Sequence, residues 1–175
     1  MKEEQHNLNT NNIRPWVRYL ARTIDSSIVG FAFGLMSPLI SMIFNIQILN
    51  LNSHLLGFLI LFLYIFIEPI FLILCGNTFG KWLLKIKLKD STGKNLIFST
   101  AFKRSFFVWL YGFGAGIPII SLLTLKDGYS NLVKNGITSW DKKYNLVISH
   151  EKIGTARVII AISLLGLLIS LSFIE

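Results

Sequence analysis

The sequence predicts an all-α membrane protein of three to four transmembrane helices, the third broken or re-entrant, with a small cytoplasmic β-hairpin. Three observations predict it. The 175 residues are 53% hydrophobic with a mean hydropathy of +0.59, too apolar for an ordinary soluble domain of that size. The apolar residues gather into four long runs, each approaching the roughly 20 residues that a helix needs to cross the hydrocarbon core. The basic surplus, a net charge of +8, collects beside those runs, where anionic headgroups and the positive-inside rule favour it. That placement makes the lipid bilayer the expected partner and argues against nucleic acid.

Taken in order, residues 1–13 are polar and mixed in charge and read as a flexible tail. The first apolar run, from about Ile24 to Ile46, follows Arg14, Arg18 and Arg22 and contains Asp25 and Pro38. The second, Leu55 to Cys75, contains Tyr64, Glu68 and Pro69. Between them, Gln47 to His54 carries no Lys or Arg, whereas Asn77 to Arg104 carries Lys81, Lys85, Lys87, Lys89, Lys94, Lys103 and Arg104. The N-terminus is therefore expected inside, the first connection outside and the second inside.

The third run, about Ser105 to Leu125, has Gly112, Gly114, Gly116 and Pro118 at its centre, residue types that weaken a helix. Beyond it, Lys126, Lys134, Lys142, Lys143, Lys152 and Arg157 also look cytoplasmic, which one full crossing would not allow. A broken or re-entrant segment covered by protein resolves the conflict. The fourth run, about Val158 to Ile174, reads as an additional C-terminal transmembrane helix within residues 150–175. The alternation from Lys85 to Lys89, followed by Asp90-Ser91-Thr92-Gly93, reads as a hairpin on the cytoplasmic surface.

Charges inside apolar runs are the functional candidates. Arg18, Arg22 and Asp25 share one helix face, and Arg22, one turn before Asp25, is the expected partner that offsets a carboxylate at the membrane boundary. Beside them Ser26, Gly30 and Gly34 form a small-residue packing face, for which Ser163, Gly166 and Ser170 of the last run offer a partner. Glu68 sits one turn after Tyr64, and Pro69 frees the Ile65 carbonyl. Carboxylate, phenol and carbonyl together would suit a cation or a proton. The alternative, for Asp25 as for Glu68, is a structural carboxyl satisfied by a neighbour.

Enzyme chemistry is not expected. "GNTFGKW", Gly76 to Trp82, has three residues between Gly and Gly-Lys and ends in Trp82, so it is not a nucleotide loop. A tight turn with Lys81 at the headgroups fits it better. Cys75 is alone, and His6, His54 and His150 lack ligand spacing, so neither a disulfide, a metal nor another cofactor is expected.

These motifs resemble those of the RDD family of small membrane proteins. "RYLARTID" is similar to its entry, with Arg18, Ala21 and Asp25 in the arginine, alanine and first-aspartate positions. Glu68, Gly76, Thr78, Gly80, Lys81, Gly93 and Arg104 match its central block, and Asp141 in "SWDKKYNLVIS" is its second aspartate. Where the family often has His before that aspartate and Thr five residues after it, this chain has Trp140 and Leu146. On these residues the RDD-like transmembrane domain covers residues 14–149. The resemblance implies a bacterial inner-membrane protein, with transport of ions or small solutes suggested for some members.

The functional expectation is a polytopic inner-membrane protein that transports a cation, proton or small solute, or serves a transporter as an accessory subunit. In it Asp25, Glu68 and Tyr64 would bind the ion, Arg18, Arg22 and Arg104 would balance charge, and Asp141 would meet a basic group. The alternative is a scaffold or assembly partner without transport. With so few spans, a second copy or another membrane protein is an expected partner.

Overall fold

The computed structural model describes residues 14–45 and 52–171, so the polar tail, 1–13, lies outside the described residues. Seven helices and two short strands are described. Helix α1, Pro15–Phe44, starts on a proline that needs no N–H partner in the first turn. Pro38 inside it cannot donate to the Gly34 carbonyl, and the Ser37 hydroxyl does so instead at 2.7 Å. That keeps the helix continuous for 30 residues. Helix α2, Ser53–Leu74, is capped by Asn52, whose side chain accepts from the His54 N–H. Both are long and apolar enough to cross a membrane. Neither is the core of a soluble protein, because Leu35, Leu39, Met42, Phe62, Phe66 and Leu74 stand exposed along them.

After α2 come a five-residue helix α3, Phe79–Leu83, and strand β1, Ile86–Lys89. Helix α4, Phe98–Gly112, runs back along α2, with Phe102 against Phe66 and Trp109 against Phe58 and Phe62. The chain then breaks. Gly114, Ala115 and Gly116 all have positive φ, and a Cβ on Gly114 would lie 2.3 Å from the Ser121 nitrogen. Only glycine fits there. Helix α5, Pro118–Asn135, leaves this turn, and the Ser121 hydroxyl ties its start to the Phe113 carbonyl. The turn lies against Phe58 near the start of α2, while Tyr129 of α5 reaches Trp16 at the start of α1. The third run is therefore broken, as its glycines imply, and folds back as a helical hairpin.

A second five-residue helix, α6, Ser139–Lys143, leads to strand β2, Val147–His150, and then to α7, Thr155–Leu171. Strand β1 pairs with β2, antiparallel, with Leu88 opposite Ile148. The expected local hairpin does not form. The Asp90 carboxylate instead takes the backbone N–H groups of Thr92 and Lys94 and the Thr92 hydroxyl, which closes a turn. Only Asn95 and Leu96 then separate this turn from the Ile97 cap of α4, too few residues for a return strand. Alternation identified the strand but not its partner, which comes from the far end of the chain.

Helix α7 packs on α1 through aliphatic bulk. Ala161, Leu164 and Leu165 join Ala21, Ile24, Leu83, Leu84 and Ile86 in one core. The expected small-residue contact is not used. Gly30 faces Ile60 of α2, and nothing lies within 4 Å of where a Cβ would stand on Gly34 or Gly166. Ala21 and Ala161 are the small residues fully buried there, and Ile24, Leu164 and Leu165 around them supply the larger apolar area.

The chain also repeats itself. Gly76 and Gly136 both turn at φ 70. Thr78 and Thr138 are both extended N-caps, of α3 and α6. Lys85 and Asn145 both take positive φ before a strand. Each pair is sixty positions apart, and so are Leu88 and Ile148, which face each other in the sheet. A helix, a Gly-x-Thr turn, a five-residue helix and a strand thus occur twice, related about the Leu88–Ile148 pair.

Directly opposite side chains in an antiparallel pair stand about 5 Å apart. Leu88→Cys with Ile148→Cys, made with Cys75→Ser, is expected to form an oxidative cross-link seen as a mobility shift after proteolysis between the strands. A local hairpin would leave the two thiols unlinked.

Candidate functional site

Where α1, α2, α3, α4 and α6 converge, three buried carboxylates are each held by hydrogen-bond donors from other elements. Asp25 accepts the Thr78 hydroxyl at 2.6 Å and the Gly80 N–H at 2.6 Å. It thus caps α3 from a different helix, occupying the place that an N-cap side chain normally takes. A Cβ on Gly80 would lie 2.2 Å from the Ala21 carbonyl oxygen. The Gly-x-Thr-x-Gly-Lys turn is therefore a docking element: Gly76 supplies the turn, Thr78 and Gly80 bind Asp25, and Lys81 reaches on to Glu68.

Glu68 is fully occupied. Its Oε1 accepts from Lys81 Nζ at 2.6 Å and Arg104 Nη1 at 2.9 Å, and its Oε2 from the Ser105 hydroxyl at 2.7 Å. The same Arg104 donates from Nε to Asp141 Oδ1 at 2.9 Å. Asp141 Oδ2 accepts from Arg18 Nη2 and the Thr138 hydroxyl. Arg104 thereby bridges two carboxylates on two elements, a use of its planar fork that a lysine cannot copy.

Arg22 corrects the reading of the opening stripe. It does not pair with Asp25. Its guanidinium lies over the Trp140 ring, 5.4 Å from the centroid, and among the described residues it has no hydrogen bond and no ion pair. Helical spacing brought Arg22 near Asp25, but the N–H groups of α3 bind the carboxylate better. Tyr64 is buried beside the network with its hydroxyl unpartnered among the described residues.

Arg18 and Arg22 also line a groove of about 440 Å³ between α1, α5 and α6. Gly112, Thr124, Gly128 and Trp140 form its walls, with Trp16, Tyr19, Lys126 and Tyr129 around them. Sequence reading missed this groove, as it missed Ser105 and Thr138. The legible trace was the recurrence of Gly-x-Thr at Gly76 to Thr78 and Gly136 to Thr138.

A family model described as the RDD family matches residues 14–174. The chain belongs to the RDD family. The match runs past Ser149 and takes in α7, so nearly the whole RDD chain is covered. Comparison with curated proteins and with solved structures yields no match. Among the described residues, no group of three or more His, Cys, Asp or Glu could hold a metal ion.

The ionic frame makes two predictions. Removing one partner of a buried pair costs about 3–5 kcal/mol, so Arg104→Lys, which cannot span both carboxylates, is expected to lower the thermal unfolding midpoint in detergent sharply. Gly80→Ala, which strikes the α1 backbone, is expected to do the same. A wild-type midpoint in either would refute the frame.

Acid sensitivity is the second. Burial, with Arg18 and Arg14 adding, pushes His150 down to about 4 from 6.5. Burial would raise the Asp141 carboxyl, but Arg104, Arg18 and the Thr138 hydroxyl outweigh it and hold it below the usual carboxylate range. Both groups take up protons more readily in the unfolded chain, so stability rises with pH. The His150 contribution is full above 6.5 and fades as pH falls towards 4. That of Asp141 is lost at lower pH still. The unfolding midpoint should fall over that window, and His150→Asn should flatten the upper part of the slope. An unchanged slope would assign it to other groups.

Proposed function

We propose that this RDD protein is a multi-pass protein of the bacterial inner membrane, N-terminus cytoplasmic, that handles a small solute at the α1–α5–α6 groove. It does so as a carrier or as an accessory subunit of a transporter. The observation that carries this reading is the contrast between the saturated ionic frame and the open groove beside it. Asp25, Glu68 and Asp141 already accept eight hydrogen bonds between them, and a cation or proton would have to displace Lys81 or Arg104 to reach Glu68. The groove's volume is in the range of small-molecule sites, and its wall carries a cation without a carboxylate.

The topology supports a membrane orientation. Because β1 pairs with β2, the connections that hold them lie on one side, so α4 and α5 together must leave and return. The lysines before α4 and after α5 then share that side, as the positive-inside rule asks of a cytoplasmic face. A scaffold without transport is the second reading, favoured by the ionic frame taken without the groove.

The test is flux from proteoliposomes holding sodium, a pH gradient or small organic anions. Solute flux that falls at least tenfold in a folded groove-filling variant, Thr124→Trp, is expected. No flux of any probe from folded wild-type protein would leave the scaffold reading in its place.

A further inference from the structure

We infer that the groove is an oxyanion site, with Arg22 as its donor, and that it takes a phosphate group. The inference rests on the groove being the ligand site, and it names the class of ligand.

Charge is the first ground. Arg18, Arg22, Lys81 and Arg104 converge on one small void under the sheet, against the three carboxylates Asp25, Glu68 and Asp141. Arg18, Lys81 and Arg104 are bound to Glu68 and Asp141, and Asp25 is held by the Thr78 hydroxyl and the Gly80 N–H. Arg22 is the cation left over. Asp141 is the carboxylate on the wall-forming helix α6, and Arg18 and Arg104 already neutralise it. A guanidinium half-sunk against an aromatic face and facing a cavity calls for a counter-ion, because desolvated charge without one is costly.

The second ground is an unpartnered donor. Trp140 is 4% exposed, and its Nε1–H has no hydrogen-bond partner among the described residues. Buried indole N–H groups normally find an acceptor. The groove wall thus carries the Arg22 guanidinium and an indole whose N–H is still without an acceptor, and no carboxylate lines it.

The internal repeat supplies the third ground. With the two Gly-x-Thr turns aligned, the position equivalent to Glu68 on α2 is Gly128 on α5. Glu68 supplies the carboxylate in the first repeat, and Gly128 supplies no side chain in the second. Gly128 lines the groove and sits against the Trp140 ring. The second repeat thus sets the Trp140 ring where the first sets a carboxylate, and it is over that ring that Arg22 lies.

The rim points to phosphate. Trp16, Tyr19 and Tyr129 are exposed there, residue types that settle at headgroup level, and Lys126 adds a second cation. Phospholipid phosphates and free phosphate can both reach that level. Arg binds such oxyanions through its paired N–H groups.

Native mass spectrometry of the full chain in detergent, offered equal phosphatidylglycerol and phosphatidylcholine, tests this without any transport readout. About tenfold preferential retention of phosphatidylglycerol, or about 1.4 kcal/mol, is expected in the wild type. Arg22→Gln should abolish it, and Arg22→Lys should keep part of it. Thr124→Glu, which places a carboxylate in the groove one turn from Gly128, should also expel the lipid without lowering the unfolding midpoint. Displacement of the lipid by millimolar inorganic phosphate would assign the site to free phosphate, and resistance would assign it to the headgroup. Retention of neither lipid by the wild type, or unchanged retention in folded Arg22→Gln, would overturn the inference. Solute flux persisting alongside such a result would leave the groove's role standing and remove only the phosphate.

Discussion

Arg104 carries two carboxylates on one guanidinium, and the rest of the fold is arranged so that it can. Its Nη1 meets Glu68 of α2 and its Nε meets Asp141 of α6. Around that fork Lys81 and Ser105 complete Glu68, and Arg18 and Thr138 complete Asp141. Charges so deep are tolerable only when they are paired and hydrogen-bonded. The helices around them are thus fixed in position as well as in contact, which apolar packing alone does not achieve.

The same residues connect structure to function. A frame whose acids already hold hydrogen-bond donors does not exchange ions easily, and the proposed ligand chemistry is placed beside it for that reason. That place is the side of α1 turned towards α5 and α6. There the repeat loses its acid at Gly128, and Arg22 rests on Trp140 instead of on a carboxylate.

Much of this was legible as residue types and little of it as partners. Asp25, Glu68 and Arg104 stood out as charges in or beside apolar runs, Asp141 came from the family resemblance, and Lys81, expected at the headgroups, is buried against Glu68; all five lie in the network. The pairing of Arg22 with Asp25 was wrong because helical spacing ranks only local neighbours. The true donors come from the Gly-x-Thr turn more than fifty residues on. The strand at Ile86–Lys89 was readable from alternation, yet its partner lay beyond three helices, where no local pattern reaches. The break at Gly114 was foreseeable from glycine and proline. Ser105 and Thr138 were not, since a hydroxyl in a helix or turn looks the same whether or not it faces a carboxylate.

The distances in sequence also set an order of events during synthesis. Asp25 meets its donors 53 and 55 positions later, and Glu68 meets Lys81 after 13, so the first half can close on itself as soon as α3 is made. Arg18 meets its carboxylate only 123 positions on. A nascent chain therefore holds an arginine in its first helix unneutralised until almost the whole protein has left the ribosome. The second aspartate is the latch that ends that wait, and a chain truncated before it would present the cell's quality control with an open, positively charged helix bundle.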